Sequence, residues 1–173
     1  MMFANQYYRS LQQGAIDRIQ LFGSLSGTNK WVGGVLAPNG KIYGIPHNST
    51  SVLEIDPTTN TVSTFGSLTG AGKWEGGVLG PNGKIYGIPR GSTSILEIDP
   101  TTNTTAIFGS LSGANKWVGG VLAPNGKIYG IPFSSTSVLE ISDNGLITTA
   151  MYTMPSPISG LATSVYNRHQ NKY

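Results

Sequence analysis

The sequence predicts an all-β protein, a β-propeller of four-stranded antiparallel blades, and three observations predict it. Its only tryptophans, Trp31, Trp74 and Trp117, stand 43 residues apart, and residues 22–64, 65–107 and 108–150 are near-copies of one another. The first two copies differ at 11 of 43 positions, so one structural unit is repeated along the chain. Each unit breaks into four strand-sized runs, and no window holds a helical period over about ten residues. Four short strands in about 40–45 residues is the size of a propeller blade.

The strands follow in order within the first copy. Strand a is the apolar run 34–37, stopped by Pro38-Asn39-Gly40. Pro cannot continue a central strand, and Asn-Gly favours the positive φ angles of a tight hairpin turn. Strand b is 41–45, ended by Pro46; strand c is 52–55, bounded by Asp56-Pro57-Thr58-Thr59-Asn60, a second turn cluster. Strand d is 61–65, rich in β-branched residues. The third copy follows the first closely through Ile141 and then departs as Ser-Asp-Asn-Gly-Leu-Ile-Thr-Thr-Ala.

Composition narrows the class. At 173 residues a chain can bury roughly two-thirds of its unfolded surface. The absence of cysteine excludes disulfide scaffolds, Cys-ligated zinc and Cys nucleophiles. The longest apolar runs are about four residues, far short of a membrane span. Residues 1–10 lack a continuous apolar stretch, so no signal peptide is expected and the cytoplasm is the favoured compartment. The net charge is +3 with no Lys/Arg run, which speaks against nucleic acid.

Strand a with Pro-Asn-Gly, then Lys-Ile-Tyr-Gly, then Ser-Val-Leu-Glu-Ile-Asp-Pro-Thr-Thr-Asn-Thr resembles the repeats of NHL, YVTN and SMP-30/gluconolactonase-like propellers over residues 22–150. The Pro-Asn-Gly-Lys-Ile-Tyr-Gly piece is also similar to tachylectin-2-like lectin propellers. The resemblance implies that strand a lies nearest the axis and strand d outermost. It also implies that the d–a and b–c loops share one face, and the a–b and c–d turns the other.

The chain ends suggest closure. Residues 15–22 sit in the strand-d register, 6–12 form a degenerate strand c, 158–162 resemble strand a, and 165–173 supply part of strand b. A composite fourth blade from 1–21 and 151–173 would make residues 1–173 a single closed domain without open sheet edges. Two chains completing each other's blade would instead form an eight-bladed ring, so both a monomer and a homodimer through blade closure are expected arrangements. A third reading makes the chain an excerpt of a longer repeat array with no independent function.

Candidate binding residues lie on the face of the d–a and b–c loops. Substitutions between copies collect there: His47, Arg90 and Phe133 in the b–c loop, and Glu75 where the other copies have Val32 and Val118. Diversified side chains on a fixed frame suit a ligand face; neutral drift at exposed loops gives the same pattern. The pairs Lys30-Trp31, Lys73-Trp74 and Lys116-Trp117 recur before each strand a. Three indoles could stack on sugar rings with lysines adding polar contacts, or each could wedge between blades with its N–H satisfied by a loop carbonyl. The pairs Gly33-Gly34, Gly76-Gly77 and Gly119-Gly120 are not a phosphate loop, since no G-x-x-x-x-G-K-[ST] and no helix accompany them. Glu54, Glu97 and Glu140 are expected on the polar side of each blade.

The expected role is a non-catalytic scaffold presenting one loop face to a carbohydrate, small molecule or protein. A lectin-like site would use Trp31, Trp74 and Trp117; a protein-docking face would use His47, Arg90, Phe133 and Glu75. The alternative, an SMP-30-like metal-dependent lactonase or hydrolase, is implied by the resemblance alone. Its ligand set does not carry over, because strand a offers no side-chain oxygen beyond Glu75 and a hard cation needs several. No catalytic residue, metal ligand or cofactor is therefore assigned.

Overall fold

The structure, a computed structural model, describes residues 19–142. Eleven strands and no helix occur among these residues. They are β1 (Trp31–Leu36), β2 (Ile42–Pro46), β3 (Val52–Asp56), β4 (Thr61–Phe65), β5 (Trp74–Leu79), β6 (Ile85–Pro89), β7 (Ile95–Asp99), β8 (Thr104–Phe108), β9 (Trp117–Leu122), β10 (Ile128–Pro132) and β11 (Leu139–Ile141). Sheets β1-β2-β3-β4 and β5-β6-β7-β8 are antiparallel meanders, and β9-β10-β11 is the described part of a third. The positions read as the third strand d lie outside the described residues, as do residues 1–18 and 151–173 of the composite blade; residues 19–22, read in the strand-d register, are described and form no strand.

Strand a starts three residues earlier than the apolar run suggests, at the tryptophan. The β1–β2 register shifts between Trp31 and Gly34, and Gly33 sits in the bulge at φ 84°. A glycine in that left-handed conformation lets a strand absorb an extra residue without breaking. The hairpin turn also differs from expectation. Only Gly40, at φ 79°, leaves the right-handed side. Ala37 and Lys41 close a three-residue loop, and Lys41 N donates to Asn39 Oδ1 at 3.1 Å. In the c–d turns Thr58 N donates to Asp56 Oδ1 and Thr101 N to Asp99 Oδ1, at 2.9 and 2.8 Å. These are Asx turns, as the Asp-Pro pairs predict.

The core consists of two slabs, one in each gap between neighbouring sheets. Tyr43, Ile45 and Val35 of the first sheet meet Trp74, Ile85 and Ile98 of the second. Tyr86, Ile88 and Val78 of the second meet Trp117, Ile128 and Ile141 of the third. Strand b alternates its faces with period two, so Tyr43 and Ile45 point one way while Ile85, the counterpart of Ile42, packs the opposite way. Each blade is thus apolar on both sides. Full burial of one such isoleucine contributes about 1.5–3 kcal/mol.

The inner strands pack backbone to backbone. A Cβ on Gly33 would lie 2.9 Å from the Cα of Gly76, and one on Gly76 would lie 2.8 Å from that of Gly119. Close approach of neighbouring strands a accounts for the repeated glycine.

Candidate functional site

The d–a and b–c loops lie on one face, joined by main-chain bonds. Lys73 N donates to His47 O at 3.0 Å and Leu68 N to Thr50 O at 2.7 Å; Lys116 N and Leu111 N repeat both contacts on Arg90 O and Thr93 O at 2.9 and 2.8 Å. The a–b and c–d turns meet on the opposite face, where Asn39 Nδ2 donates to Pro100 O at 3.0 Å. The loop arrangement implied by the resemblance is therefore the one observed.

The conserved-looking pairs in the repeat belong to the frame. Lys73 is buried, and its ammonium donates to His47 O, Ser49 O and Gly70 O at 3.2, 2.8 and 2.7 Å. Lys116 reaches Arg90 O, Ser92 O and Gly113 O in the same way, at 3.3, 2.8 and 2.8 Å. Burial pushes both ammonium groups below the ordinary lysine value. Each lysine is a staple from one blade into the b–c loop of the blade before it. Trp74 and Trp117 are 3% and 7% exposed. Their indole N–H groups donate to Ser94 O and Ser137 O at 2.7 and 2.8 Å. Of the two arrangements open to these indoles, Trp74 and Trp117 adopt the wedge between blades, each N–H on a carbonyl of its own b–c loop. Trp31 makes the same bond to Ser51 O at 2.7 Å but is only half-buried, and Lys30 donates to Leu25 O at 3.0 Å.

Three of the variable side chains come together. Arg90 Nη1 donates to Glu75 Oε2 at 2.6 Å, and the guanidinium lies 5.6 Å from the centre of the Phe133 ring. Arg90 Nε is buried without a partner among the described residues. His47 stands apart from this trio, with Nδ1 3.2 Å from Trp74 O.

Glu54 departs from its expected polar exposure. It is buried and accepts from Lys41 Nζ at 2.7 Å, Tyr43 OH at 3.2 Å and Asn103 Nδ2 of the next blade at 2.8 Å. Burial alone would raise its carboxyl, but hydrogen bonds from Lys41 and Asn103 outweigh that and hold it below its usual 4.5. Glu140, in the third sheet, keeps Lys127 at 2.7 Å but is exposed.

Between the loops lies a hollow that recurs. In the second blade a cavity of about 410 Å³ is lined by Ser67, Thr69, Thr93 and Ser94 around Leu68 and Trp74. In the first, a cavity of about 430 Å³ is lined by the equivalent Ser24, Ser26, Thr50 and Ser51 around Leu25 and Trp31. Sequence reasoning missed these hydroxyls. Their signal was the repeated Gly-Ser-Leu and Ser-Thr-Ser strings. No group of three or more His, Asp or Glu side chains gathers among the described residues.

Solved structures with this architecture include virginiamycin B lyase from Staphylococcus aureus, with TM-score 0.56 and 15% identity, covering 69% of this chain and 43% of that one. A streptogramin B lyase matches with TM-score 0.55 and 16% identity over 68% of this chain and 42% of that one. The fold is a β-propeller. An auxiliary nutrient binding protein from Bacteroides ovatus matches the propeller with TM-score 0.55 and 16% identity, covering 69% of this chain and 30% of that one. The chain spans less than half the length of each of these proteins. No protein-family model matches the sequence, and a search of curated proteins finds no match.

Proposed function

We propose that this propeller is a non-catalytic binding scaffold whose loop face takes small hydroxyl-rich ligands of the saccharide class, one hollow to a blade. The observation that carries the reading is recurrence of the hollow at equivalent positions in the first two blades. Its volume falls within the roughly 300–1,000 Å³ of small-molecule sites. Serine and threonine hydroxyls both donate and accept, as sugar hydroxyls do. Ile107, exposed beside the second-blade hollow, adds apolar surface against which a sugar ring can rest. Repetition of one modest site turns weak single contacts into avidity for a branched or polymeric ligand.

The kinship in fold with lyases lends no chemistry to this chain. Glu75, the one carboxylate of the described inner strands, is engaged by Arg90, and Lys73, the amine lining the second-blade hollow, is held by three main-chain carbonyls. The B. ovatus nutrient-binding protein among the fold neighbours is compatible with a binding role.

Isothermal titration of the full chain with glucose, galactose and N-acetylglucosamine tests the reading. Saturable heat with at least one sugar is expected, reduced at least tenfold in affinity by Thr93→Val combined with Thr50→Val. Absence of heat from all three sugars and their oligomers, or binding that this double variant leaves unchanged, overturns it.

A further inference from the structure

The two internal blade interfaces are built from the same three contacts. First, an aliphatic knob fills the space over a glycine: a Cβ on Gly77 would lie 2.6 Å from Ile45 Cδ1 and 3.2 Å from Val35 Cγ2, and one on Gly120 would lie 3.0 Å from Ile88 Cδ1 and 3.1 Å from Val78 Cγ2. Second, inner-strand glycines touch, Gly33 on Gly76 and Gly76 on Gly119. Third, a lysine enters a socket of two b–c loop carbonyls, His47 O and Ser49 O for Lys73, Arg90 O and Ser92 O for Lys116.

Each end of the three-sheet stack carries one half of this set. On the third sheet the knobs Ile131 and Val121 are 51% and 55% exposed, where Ile45 and Ile88 are fully covered. No atom of the described residues lies within 4 Å of a Cβ placed on Gly119. The carbonyls equivalent to the lysine socket are Phe133 O and Ser135 O, and no lysine among the described residues reaches them. The first sheet carries the other half. Among the described residues only atoms of its own Ile42 and Tyr43 come near a Cβ on Gly34. Among the described residues Lys30 Nζ donates to Leu25 O of its own loop and reaches no b–c loop carbonyl, and Leu25 is 38% exposed where Leu68 is 8%.

We propose that a second copy of this chain docks head to tail, its first sheet covering the third sheet of its partner. Ile131 and Val121 would then meet Gly34 of the second copy, Gly119 would meet Gly33, and Lys30 would enter the socket of Phe133 O and Ser135 O. The second copy is favoured over the chain's own C-terminal segment by residue chemistry. Residues 143–173 hold no tryptophan, and their only lysine is Lys172, so no Lys-Trp pair is available there to repeat the staple. The first sheet of another copy has Lys30, Trp31, Gly33 and Gly34 at the spacing already used twice. Such a contact is heterologous and closes when the rotation allows. Two copies bring six of these sheets together, inside the usual range of about four to eight blades, and three copies bring nine. The expected assembly is a closed dimer. The exposed Phe133 beside Arg90 belongs to this docking surface.

Size-exclusion chromatography with light scattering on the full chain, over a concentration series, tests the proposal. The expected species has twice the 18.3 kDa chain mass. Ile131→Asp and Lys30→Glu should each reduce it to the single-chain mass, with Val121→Asp replacing the first if that variant fails to fold. Mixing the two single-chain variants should restore the doubled mass, since each keeps the half that the other lacks. A single-chain mass throughout the series, which is the result if the chain's own tails cover both ends, overturns the proposal. A dimer that both variants leave intact, or a mixture that does not recombine, overturns it as well.

Discussion

The two faces of the propeller bind neighbouring blades by different means. On the turn face every cross-blade bond needs a particular side chain: Glu54 accepts from Asn103 Nδ2 of the next blade, and Tyr43 OH and Asn39 Nδ2 donate to its Pro100 O. On the loop face the lysine staples end on main-chain carbonyls, and main-chain N–H groups do the rest. A carbonyl is the same whatever side chain its residue bears. The b–c loop can therefore carry His47, Arg90 or Phe133 at one position without loosening the blade interface, while the a–b turn keeps Pro-Asn-Gly-Lys in every copy. Variation within the repeat marks positions the frame does not use.

The sharpest way to break this contrast is to remove a staple. Lys73→Met should leave Ser49 O and Gly70 O without their donor inside the blade interface, while His47 O keeps the Lys73 N–H, at a cost of about 3 kcal/mol in urea unfolding. A change below about 0.5 kcal/mol would show that the main-chain bonds hold the loop face unaided. Tyr43→Phe removes the hydroxyl that bridges Glu54 and Pro100 O, and should cost about 1–2 kcal/mol. A double-mutant cycle of Glu54→Gln with Asn103→Ala should show coupling of about 0.5–3 kcal/mol, and additive losses would remove the cross-blade bond from the account.

Acid should act through the same turn face. The folded Glu54 carboxyl is held below its ordinary 4.5, so its contribution is complete above that value and is lost as pH falls through the folded one. Melting temperature should therefore drop as pH is lowered below 4.5, with a shallower slope in Glu54→Gln. An unchanged slope would assign acid sensitivity to other carboxylates. The smallest effect belongs to the loop face: Arg90→His, which copies the first repeat's residue into the second, should shift stability by about 0.5 kcal/mol or less. The ion pair with Glu75 that is lost is partly exposed and worth little.

Much of the fold was legible because turn chemistry is local. Pro-Asn-Gly, Asp-Pro-Thr-Thr-Asn and the 43-residue spacing placed the strands to within three residues, and the misplaced start of strand a came from a glycine bulge that no apolar pattern announces. The site was less legible. Lys73 and Trp74 look like surface chemistry in a linear string, and only the approach of the preceding blade buries them. The hydroxyls of Ser67, Thr69 and Thr93 come together through contacts between loops some 25 residues apart, a proximity that repetition hides because every copy carries the same letters. The burial of Glu54 depends on Asn103, in another repeat, and lies beyond any reading of one strand.

Mapping of backbone amide chemical shifts during a monosaccharide titration tests the division between a binding face and a holding face most directly. The expected shifts fall at Thr69, Gly70, Ser92 and Thr93 and at their first-blade equivalents Ser26, Gly27, Ser49 and Thr50, around the two hollows. Shifts gathered instead at Asn82, Lys84 and Thr101, which line a cavity of about 250 Å³ on the turn face, would contradict the account.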